Sequence, residues 1–501
     1  MREQLSENID AAIRSDKPGL HLITAQTAAG KTYSYVRLIA QHEEKNFIVA
    51  VPTNNLKKEV YEQLIHVVSP SDVCMTKSIQ DNDLIPQKVQ DRISQNYSRG
   101  IYGQTKDIIE HQYKKETEKH PERVERIKEY EDILLGLNYI KGKRIIVTTH
   151  AYLKNLERDF LKNYTIIIDE DILLLQFFQD IKCTSIKAVK KLSEFNIDIY
   201  SETAEEILAS EENVYGRLQP HFKCPPLTQE QLDATESDYN DNLNDLVHAQ
   251  TYVKLKDSET GEVTVYYFCP PRLPSLKYIV LSATLNENLY TKYFEPTMEV
   301  HLYPKKKARY TGRLIQYPYH TLGRRDLGEK KQVFPYACRL ADNDSLTFIT
   351  FANFPGKTEM KKINFSDLHF GNSAGINKLC GKDIGIVGTY FQQEQAYKLV
   401  ALYLGADVNS CIDSRPRRRR VTYKNKEFVI MSYSDALLRE VQLYSIESEM
   451  EQCVGRARLL SHDCTVYLFS CFPCEQAELR NGNYLLHCHE YHESSYTTNR
   501  I

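Results

Sequence analysis

The apolar positions of this chain fall in short runs rich in β-branched residues, and polar or turn residues follow each run. The earlier runs are HLITA, FIVAVPT, RIIVTTH, YTIIIDED and KYIVLSAT, and the later ones are SLTFITFAN, DIGIVGTY, EFVIMSYS and CTVYLFSC. Segments with helical spacing, such as QEQAYKLVALYLG, lie between them. This alternation predicts an α/β protein whose parallel sheets are covered by helices, with the chemistry at the carboxyl ends of the strands.

Two α/β halves are expected, because 501 residues are too many for one ordinary core and a second series of strands begins after residue 300. We therefore predict a first domain over 1–300 and a second over 301–501, with insertions in the first near 80–140 and at 173–275. The first insertion is charge-rich with helical spacing, which predicts helices. The second is acidic and turn-rich, which predicts an inserted subdomain or a partly mobile loop region.

Composition narrows the class of protein. The net charge of -3 gives no global attraction to nucleic acid, so any such contact must come from a local basic patch. The apolar runs are too short and too often interrupted by acids for a membrane span, and the N-terminus lacks the pattern of a signal peptide. With no secretory signal, 12 cysteines favour reduced thiols over a disulfide framework. We expect a cytoplasmic protein that has no contact with a membrane.

The run HLITA is followed by QTAAGKT, which ends like a phosphate-binding loop. In such a loop, consecutive backbone N–H groups surround a phosphate at a helix N-terminus, while a lysine and a hydroxyl complete the charge and the magnesium ligands. Lys31 would contact the β- and γ-phosphates, and Thr32 would bind magnesium. The loop N–H groups would come from Thr27, Ala28, Ala29 and Gly30.

Ala25 occupies a position where the usual loop pattern has glycine. Alanine is costly there if the backbone needs a positive φ, and harmless if a small side chain is enough. The alternative interpretation is an ordinary strand-to-helix turn capped by Gly-Lys-Thr. The run YTIIIDED favours a nucleotide site, because its strand ends at Asp169, which can hold magnesium, and at Glu170, which can polarise the attacking water.

The order of these motifs resembles that of superfamily 2 helicases. VPTNNLKKEV resembles motif Ia, IIVTTHAYL motif Ib or Ic, IIIDED motif II, VLSATL motif III and QCVGRARLL motif VI. The XPD and DinG type is suggested by the REQ segment with Arg2 and Gln4, by motifs Ib and III, and by the places of the insertions. The resemblance implies two RecA-like parallel-sheet domains in tandem, with ATP and Mg²⁺ as cofactors.

The resemblance also assigns roles to particular residues. Gln4 would contact the nucleotide, and Ser282 and Thr284 would couple the two lobes. Motif VI arginines would stabilise the charge that develops on the γ-phosphoryl oxygens. The catalytic set implied by the motifs is Lys31, Asp169, Glu170, Gln452, Arg456 and Arg458.

The chain departs from the XPD and DinG pattern. Only Cys74 lies between the phosphate loop and motif II, where that family has four cysteines, so no iron–sulfur cluster is expected. Asp171 and Ile172 follow the Asp-Glu pair where the family has Ala-His, so the link from hydrolysis to motif III would use other residues. The spacing of Arg456 and Arg458 resembles Dicer and RIG-I-like or herpesvirus origin-binding helicases instead.

Nucleic acid is expected to contact both lobes through its phosphates and sugars. The first-lobe candidates are Thr53, Asn54, Thr149 and His150, although His150 fits a capping or packing role equally well. In the second lobe, NSAGINK resembles the motif V region with Gly375 and Asn377. The run DSRPRRRR is either a solvated hairpin or loop or, beside a helicase core, a phosphate-binding patch. Its arginines are Arg415, Arg417, Arg418, Arg419 and Arg420.

The C-terminal segment carries scattered metal-ligand residue types. Cys471 and Cys474 have the spacing of a zinc knuckle, but no clear second pair accompanies them. Cys464 and Cys471 lie in or at the end of a strand-like run, where buried free cysteine is common. The remaining candidates are His487, Cys488, His489 and His492. We do not expect zinc.

The leading hypothesis is an ATP-driven helicase or translocase acting on single-stranded or partly duplex nucleic acid. The XPD and DinG resemblance implies DNA and 5′-to-3′ movement, with RNA as the alternative. A second hypothesis is a nucleic-acid-binding ATPase switch or subunit with slow or no unwinding, motivated by Ala25 and by the unusual motif II. A P-loop phosphotransferase is a third, but it leaves motifs Ia, III and VI unexplained.

Overall fold

A computed structural model describes residues 2–195, 198–235, 241–295, 297–318, 322–372, 378–409 and 415–480. The first elements are α1 (Arg2–Arg14), β1 (Gly19–Thr24), α2 (Lys31–Gln41), β2 (Phe47–Val51), α3 (Asn54–Ile65), β3 (Val73–Met75), α4 (Gln87–Ser98), α5 (Gln104–Lys119), α6 (Val124–Leu135), α7 (Leu137–Ile140), β4 (Ile145–Thr149), α8 (His150–Leu153), α9 (Arg158–Leu161) and β5 (Thr165–Asp169).

The elements after motif II extend to the end of the first parallel sheet. They are β6 (Ile181–Ser185), α10 (Ile186–Ser193), α11 (Asp198–Ala209), β7 (Tyr215–Arg217), α12 (Gln229–Ala234), β8 (Thr251–Lys256), β9 (Val263–Phe268), β10 (Lys277–Ser282), α13 (Glu287–Phe294) and β11 (Val300–Leu302). The remaining elements are β12 (Arg313–Tyr317), α14 (Asp326–Glu329), α15 (Val333–Leu340), β13 (Thr347–Thr350), β14 (Asn364–His369), β15 (Ile384–Val387), α16 (Glu394–Tyr403), β16 (Arg417–Tyr423), β17 (Lys426–Ser432), α17 (Ala436–Gly455), β18 (Thr465–Phe469) and β19 (Glu478–Leu479).

The first sheet has seven strands in the order β11-β1-β10-β5-β2-β4-β3, and every pair is parallel. Strands β2 and β5 are buried along their whole length and are mostly apolar, as expected for a sheet covered on both faces. The register places Thr24 opposite Ser282 and Leu281 opposite Asp169. The carboxyl ends of β1, β10 and β5 are therefore level, which brings the residues after each strand to one edge.

The second sheet has six parallel strands in the order β14-β13-β15-β18-β12-β19. The two parallel sheets and their helices form tandem RecA-like α/β domains, as predicted. One strand prediction is wrong in its placement. The run EFVIMSYS forms β17, which pairs antiparallel with β16 in a separate hairpin and does not join the second sheet.

Both insertions are folded in the described ranges. The first contributes α4 to α7, and α4 to α6 share an apolar core that includes Ile93, Ile109 and Tyr130. The second forms a four-stranded antiparallel sheet in the order β6-β9-β8-β7, packed with α10 to α12. Of the two alternatives for 173–275, the structure therefore supports the inserted subdomain.

The inserted sheet packs directly on α16 of the second lobe. The Thr251 hydroxyl donates a buried hydrogen bond to the Leu399 carbonyl at 3.0 Å, and the Arg217 guanidinium donates to the Leu402 carbonyl at 2.8 Å. One continuous apolar cluster contains residues of the first lobe, the insertion and α16. The two lobes are thus joined by a shared core as well as by the chain. Within the described residues, no helix combines the length and apolarity needed to cross a membrane.

Candidate nucleotide site between the two lobes

The loop between β1 and α2 has the backbone conformation of a phosphate loop. Gly30, at the N-cap of α2, has a φ of 87°, and Ala28 has a φ of 65°. Ala25 is buried, and it is not among the residues with positive φ. The alanine at position 25 therefore causes no backbone strain. Ala28 is the residue at which a glycine would relieve strain, because its φ is positive.

The phosphate loop is in contact with motif II. The Lys31 ammonium lies 2.8 Å from Glu170 Oε1, and Thr32 Oγ1 donates to Asp169 Oδ2 at 3.2 Å. Tyr35, one turn into α2, donates to the same Asp169 oxygen at 3.0 Å. Glu170 has a φ of 75°, which is a strained conformation for a residue with a side chain. The sequence did not single out Tyr35, because a buried tyrosine on an apolar helix face is usually a packing residue.

Burial and charge act in opposite directions on the two carboxylates. Burial, followed by the neighbouring charge of Glu170, raises the pKa of Asp169 above its usual range. Burial also disfavours the charge of Glu170, but the adjacent Lys31 ammonium outweighs it and holds the pKa of Glu170 below its usual range. Glu170 is therefore kept as an anion beside the lysine.

The residues around Asp169 fit a magnesium ion. Asp169 Oδ1 is buried and has no hydrogen-bond partner among the described residues, while Thr32 contacts the other carboxylate oxygen. A hydroxyl and a carboxylate are ligands that Mg²⁺ prefers. Thr32 and Asp169 would hold the ion, which would neutralise charge on the bound phosphates.

The second lobe completes this site through the end of α17. Gln452 Nε2 donates to Glu170 Oε2 at 2.9 Å, and Arg456 Nη2 donates to Gln452 Oε1 at 2.6 Å. Arg456 and Arg458 line a cavity of about 420 Å³ together with Gly30, Lys31, Thr32, Asp169 and Glu170. The predicted catalytic residues of both lobes therefore surround one cavity of a size that suits a nucleoside triphosphate.

Motif III lies next to this cavity. Ser282 Oγ is 3.4 Å from Glu170 Oε2, so the hydroxyl contacts motif II at the edge of hydrogen-bonding range. Thr284 lines a second interlobe cavity of about 430 Å³, where residues of α17 form the opposite wall. Its Oγ1 is buried and has no partner among the described residues. The positions of both residues are compatible with interlobe coupling.

Gln4 does not line the nucleotide cavity. It lies in a small separate recess behind the loop, with Asn8, Ala25 and Ala29. Arg2 and Tyr33 line the cavity instead, and Tyr33 is 56% exposed. Neither was included among the sequence-predicted site residues, because an arginine and a tyrosine near a helix N-terminus are ordinary surface residues without the fold.

The nucleic-acid candidates of the first lobe occupy different environments. Thr53 and Thr149 cap α3 and α8, where their hydroxyls accept from Leu56 N and Tyr152 N. Asn54 is held by the first insertion, because its Nδ2 donates to the Gln80 carbonyl at 3.0 Å. These residues lie at or just after the carboxyl ends of β2 and β4, which are neighbours in the sheet.

His150 is a packing residue, and the prediction that it contacts nucleic acid is wrong. Its side chain is 0% exposed, and its Nε2 donates to the Asp169 carbonyl at 2.9 Å. Burial lowers the pKa of His150 to about 4, so the ring is neutral at ordinary pH. A neutral ring enclosed by the core cannot reach a phosphate.

The arginine run forms strand β16, within the β16–β17 hairpin. Cross-strand pairs place Arg418 opposite Met431 and Arg420 opposite Val429, and all four are exposed. Arg419 alternates to the other face, where its Nε donates to the Ser432 carbonyl. Arg415 and Arg417 are also exposed. Gly375 and Asn377 lie outside the described residues.

Cys464, Cys471 and Cys474 are buried free cysteines. Burial raises the pKa of Cys464 and that of Cys471 to about 11, so both thiols are protonated. No group of three His, Cys, Asp or Glu side chains that could hold a metal occurs within the described ranges. His487, Cys488, His489 and His492 lie outside them.

Asp171 is the residue of motif II that sequence reasoning left without a role. It is 1% exposed, and its carboxyl accepts hydrogen bonds from the hydroxyls of Tyr290, at 2.8 Å, and Tyr444. Burial raises the pKa of Asp171 to about 7, although both tyrosines favour the charged form. Tyr290 and Tyr444 are far from motif II in sequence, and only the fold brings them to it.

The geometry is the one expected of a P-loop nucleotide site between two RecA-like lobes. No family model matches the chain, and no curated protein matches it. Among solved structures, it is similar to S. tokodaii Xpd4, with a TM-score of 0.44 and 13% identity over 95% of this chain and 99% of that one. It is also similar to S. cerevisiae Dbp5 bound to RNA and ADP BeF3, with a TM-score of 0.34 and 9% identity over 97% and 92%.

A further similar structure is the Mycobacterium smegmatis helicase Lhr bound to ssDNA and AMP-PNP. Its TM-score is 0.33, with 11% identity over 93% of this chain and 46% of that chain. TM-scores and identities this low carry no argument about activity or subfamily.

Proposed function

We propose that this protein is an ATP-dependent helicase or translocase of superfamily 2, which couples ATP hydrolysis to movement along single-stranded nucleic acid. Residues 1–300 would form the ATP-binding lobe and residues 301–501 the C-terminal lobe. The motif resemblance favours DNA and 5′-to-3′ movement.

One observation carries this proposal: Glu170 is held from both lobes at once. Lys31 of the phosphate loop contacts one oxygen of its carboxylate, and Gln452 of α17 donates to the other. Arg456 is held behind Gln452, within reach of the same cavity. A P-loop phosphotransferase needs no such contribution from a second RecA-like domain, whereas a motor driven by lobe closure does.

In hydrolysis, Lys31 and the loop amides would bind the β- and γ-phosphates, and Glu170 would orient and polarise the attacking water. Arg456 and Arg458 would approach the γ-phosphoryl oxygens, where negative charge develops. Bound magnesium would supply further charge neutralisation. Because these groups belong to different lobes, turnover would depend on how closely the lobes approach.

The proposal is tested by an unwinding assay on DNA and RNA duplexes with 5′ or 3′ overhangs, together with ATP turnover. We expect strand separation of a 5′-overhang DNA duplex that needs ATP, and its loss in Lys31→Ala. Lys292→Ala, an exposed lysine on α13, is the matched control and should behave as the wild type. Equal strand separation and turnover in Lys31→Ala and the wild type would refute the motor.

A second candidate is a nucleic-acid-binding ATPase switch with slow or no unwinding. The shared apolar core between the inserted sheet and α16 favours it, because wide opening of the lobes would expose that core to water. ATP turnover stimulated by single-stranded DNA, without strand separation on any overhang, would support the switch.

A further inference from the structure

Asp171 joins the two lobes through one buried carboxylate. Tyr290, which donates to Asp171 Oδ1, belongs to α13 of the first lobe. Tyr444, which donates to Asp171 Oδ2, belongs to α17 of the second lobe. All three side chains are buried, and Asp171 is not among the residues that line the nucleotide cavity. Its role is therefore separate from holding the nucleotide.

Burial of this carboxylate opposes stability, which makes its contacts informative. Removing a carboxylate from water is expensive even when it is hydrogen-bonded, and an apolar residue of similar volume avoids that penalty. Asp171 receives donors from Tyr290, from Tyr444 and from the backbone N–H of Leu174 at 3.3 Å. Directed hydrogen bonds from fixed elements point to a role in orientation.

Helix α17 contacts motif II at two places. Tyr444 contacts Asp171, and two helical turns later, about 12 Å along the axis, Gln452 contacts Glu170. One contact would allow the helix to pivot, whereas two contacts on adjacent residues fix both its distance and its rotation. Glu170, the residue that Gln452 contacts, has a φ of 75°, and this conformation persists only where the surrounding residues hold it.

We propose that Asp171 is a positioning residue of the ATPase site. It keeps Glu170 in its working orientation as long as Tyr444 of the second lobe donates its hydrogen bond to Asp171. Motif II then senses lobe closure directly, through the residue that follows the catalytic glutamate. This inference rests on the proposed ATPase function, which would depend on closure of the lobes through the contact between Asp171 and Tyr444.

The test compares two tyrosine variants that each remove one hydroxyl from the same carboxylate. Tyr444→Phe removes the contact between the lobes, and Tyr290→Phe removes the contact within the first lobe. The kcat and KM for ATP are measured with and without saturating single-stranded DNA, and unfolding midpoints are measured in parallel. We expect Tyr444→Phe to lower the DNA-stimulated kcat about tenfold with KM for ATP changed less than about twofold. Tyr290→Phe should lower kcat by a smaller factor, because it leaves the contact between the lobes in place.

A merely structural role would lower both unfolding midpoints and leave kcat alike in the two variants, which would overturn the inference. If Tyr444→Phe does not fold, Asp171→Asn provides the second test, because the amide fills the same space but has one acceptor oxygen and can accept from only one of the two hydroxyls. Its kcat should fall while its unfolding midpoint is kept, and an unchanged kcat would overturn the inference. A wild-type protein without ATP turnover would overturn the proposed function as well, whereas an active wild type with an equally active Tyr444→Phe would overturn the positioning role alone.

Discussion

Gly455 of α17 packs directly on Thr27 of the phosphate loop, so closely that a Cβ at position 455 would lie 2.2 Å from the Thr27 methyl carbon. The end of the second-lobe helix and the nucleotide loop of the first lobe thus meet with room only for glycine. Glycine at position 455 therefore permits this close contact between the two lobes.

Gly455→Ala is expected to force the loop and α17 apart, because the added methyl group has no space. We expect a loss of about 1–3 kcal/mol in the free energy of unfolding, and a reduced kcat for ATP. Denaturant unfolding and steady-state turnover measure the two effects. Gly103→Ala is the control, since nothing lies within 4 Å of the added Cβ there. Equal behaviour of the two variants would show that the contact at Gly455 relaxes freely.

Ala28→Gly should stabilise the protein, because the φ of 65° at this position penalises an alanine side chain. A gain of about 0.5–1 kcal/mol in the free energy of unfolding is expected once the greater flexibility of unfolded glycine is subtracted. Ala25→Gly is the matched variant in the same loop and should destabilise instead, since its φ is not positive. Chemical denaturation distinguishes them, and the reverse order would contradict the backbone geometry.

Arg456→Ala should reduce DNA-stimulated ATP turnover by roughly a thousandfold, as for other arginines that stabilise the phosphoryl transition state. The measurement is kcat at saturating ATP. Arg439→Ala on the same helix serves as the control, because the Arg439 guanidinium donates to the carbonyls of Tyr433 and Ser434 and does not line the nucleotide cavity within the described residues. Turnover in Arg456→Ala close to that of the control would remove Arg456 from the mechanism.

The free energy of unfolding is expected to fall as the pH is lowered from 6.5 to about 4, because of His150. The buried ring stays neutral down to about 4, while the unfolded chain takes up a proton near 6.5, so folding is favoured above that range and penalised below it. The predicted loss is about 3 kcal/mol. His150→Gln, which keeps a donor for the Asp169 carbonyl, should lose this part of the pH dependence. The measurement is denaturant unfolding of the wild type and His150→Gln at pH 6.5 and at about pH 4. An equal loss of unfolding free energy in the two proteins would contradict the assignment to His150.

Arg418 and Arg420 are expected to bind phosphates, because both are exposed on one face of the hairpin. Replacing either by alanine should weaken binding of single-stranded DNA and reduce the slope of log affinity against log salt by about one. Arg419→Ala is the neighbouring control, since its side chain bonds the Ser432 carbonyl on the other face. Fluorescence titrations at several salt concentrations measure the slopes, and three equal slopes would refute the assignment.

Much of the fold could be predicted because parallel strands bury β-branched runs and end at polar motifs. The register that levels Thr24, Ser282 and Asp169 follows from such strands once they are neighbours. The hairpin was misplaced because the alternating pattern of EFVIMSYS is the same in a sheet strand and in a hairpin. The antiparallel sheet of the second insertion was missed because its strands are interrupted by polar and turn residues.

The candidate site could be predicted only in part, for a different physical reason. Lys31, Asp169 and Glu170 belong to local motifs, so sequence spacing is enough to find them. The links from Tyr35 to Asp169 and from Tyr444 to Asp171 join residues on different elements, and no local pattern marks a tyrosine as a donor to a distant carboxylate. Gln4 lies in a recess separate from the nucleotide cavity, because two residues along α1 turn it about 200° away from the cavity-facing Arg2.

The packing of the inserted sheet on α16 means that the chain cannot be divided into two independent halves. A fragment ending near residue 300 would leave Val253 and Phe268 without their cover, and the complementary fragment would expose Leu399 and Val400. Each fragment would present an apolar surface of the kind that drives association, so both should aggregate. In the intact chain, the inserted sheet and α16 should therefore lose their structure together, because they share one apolar core.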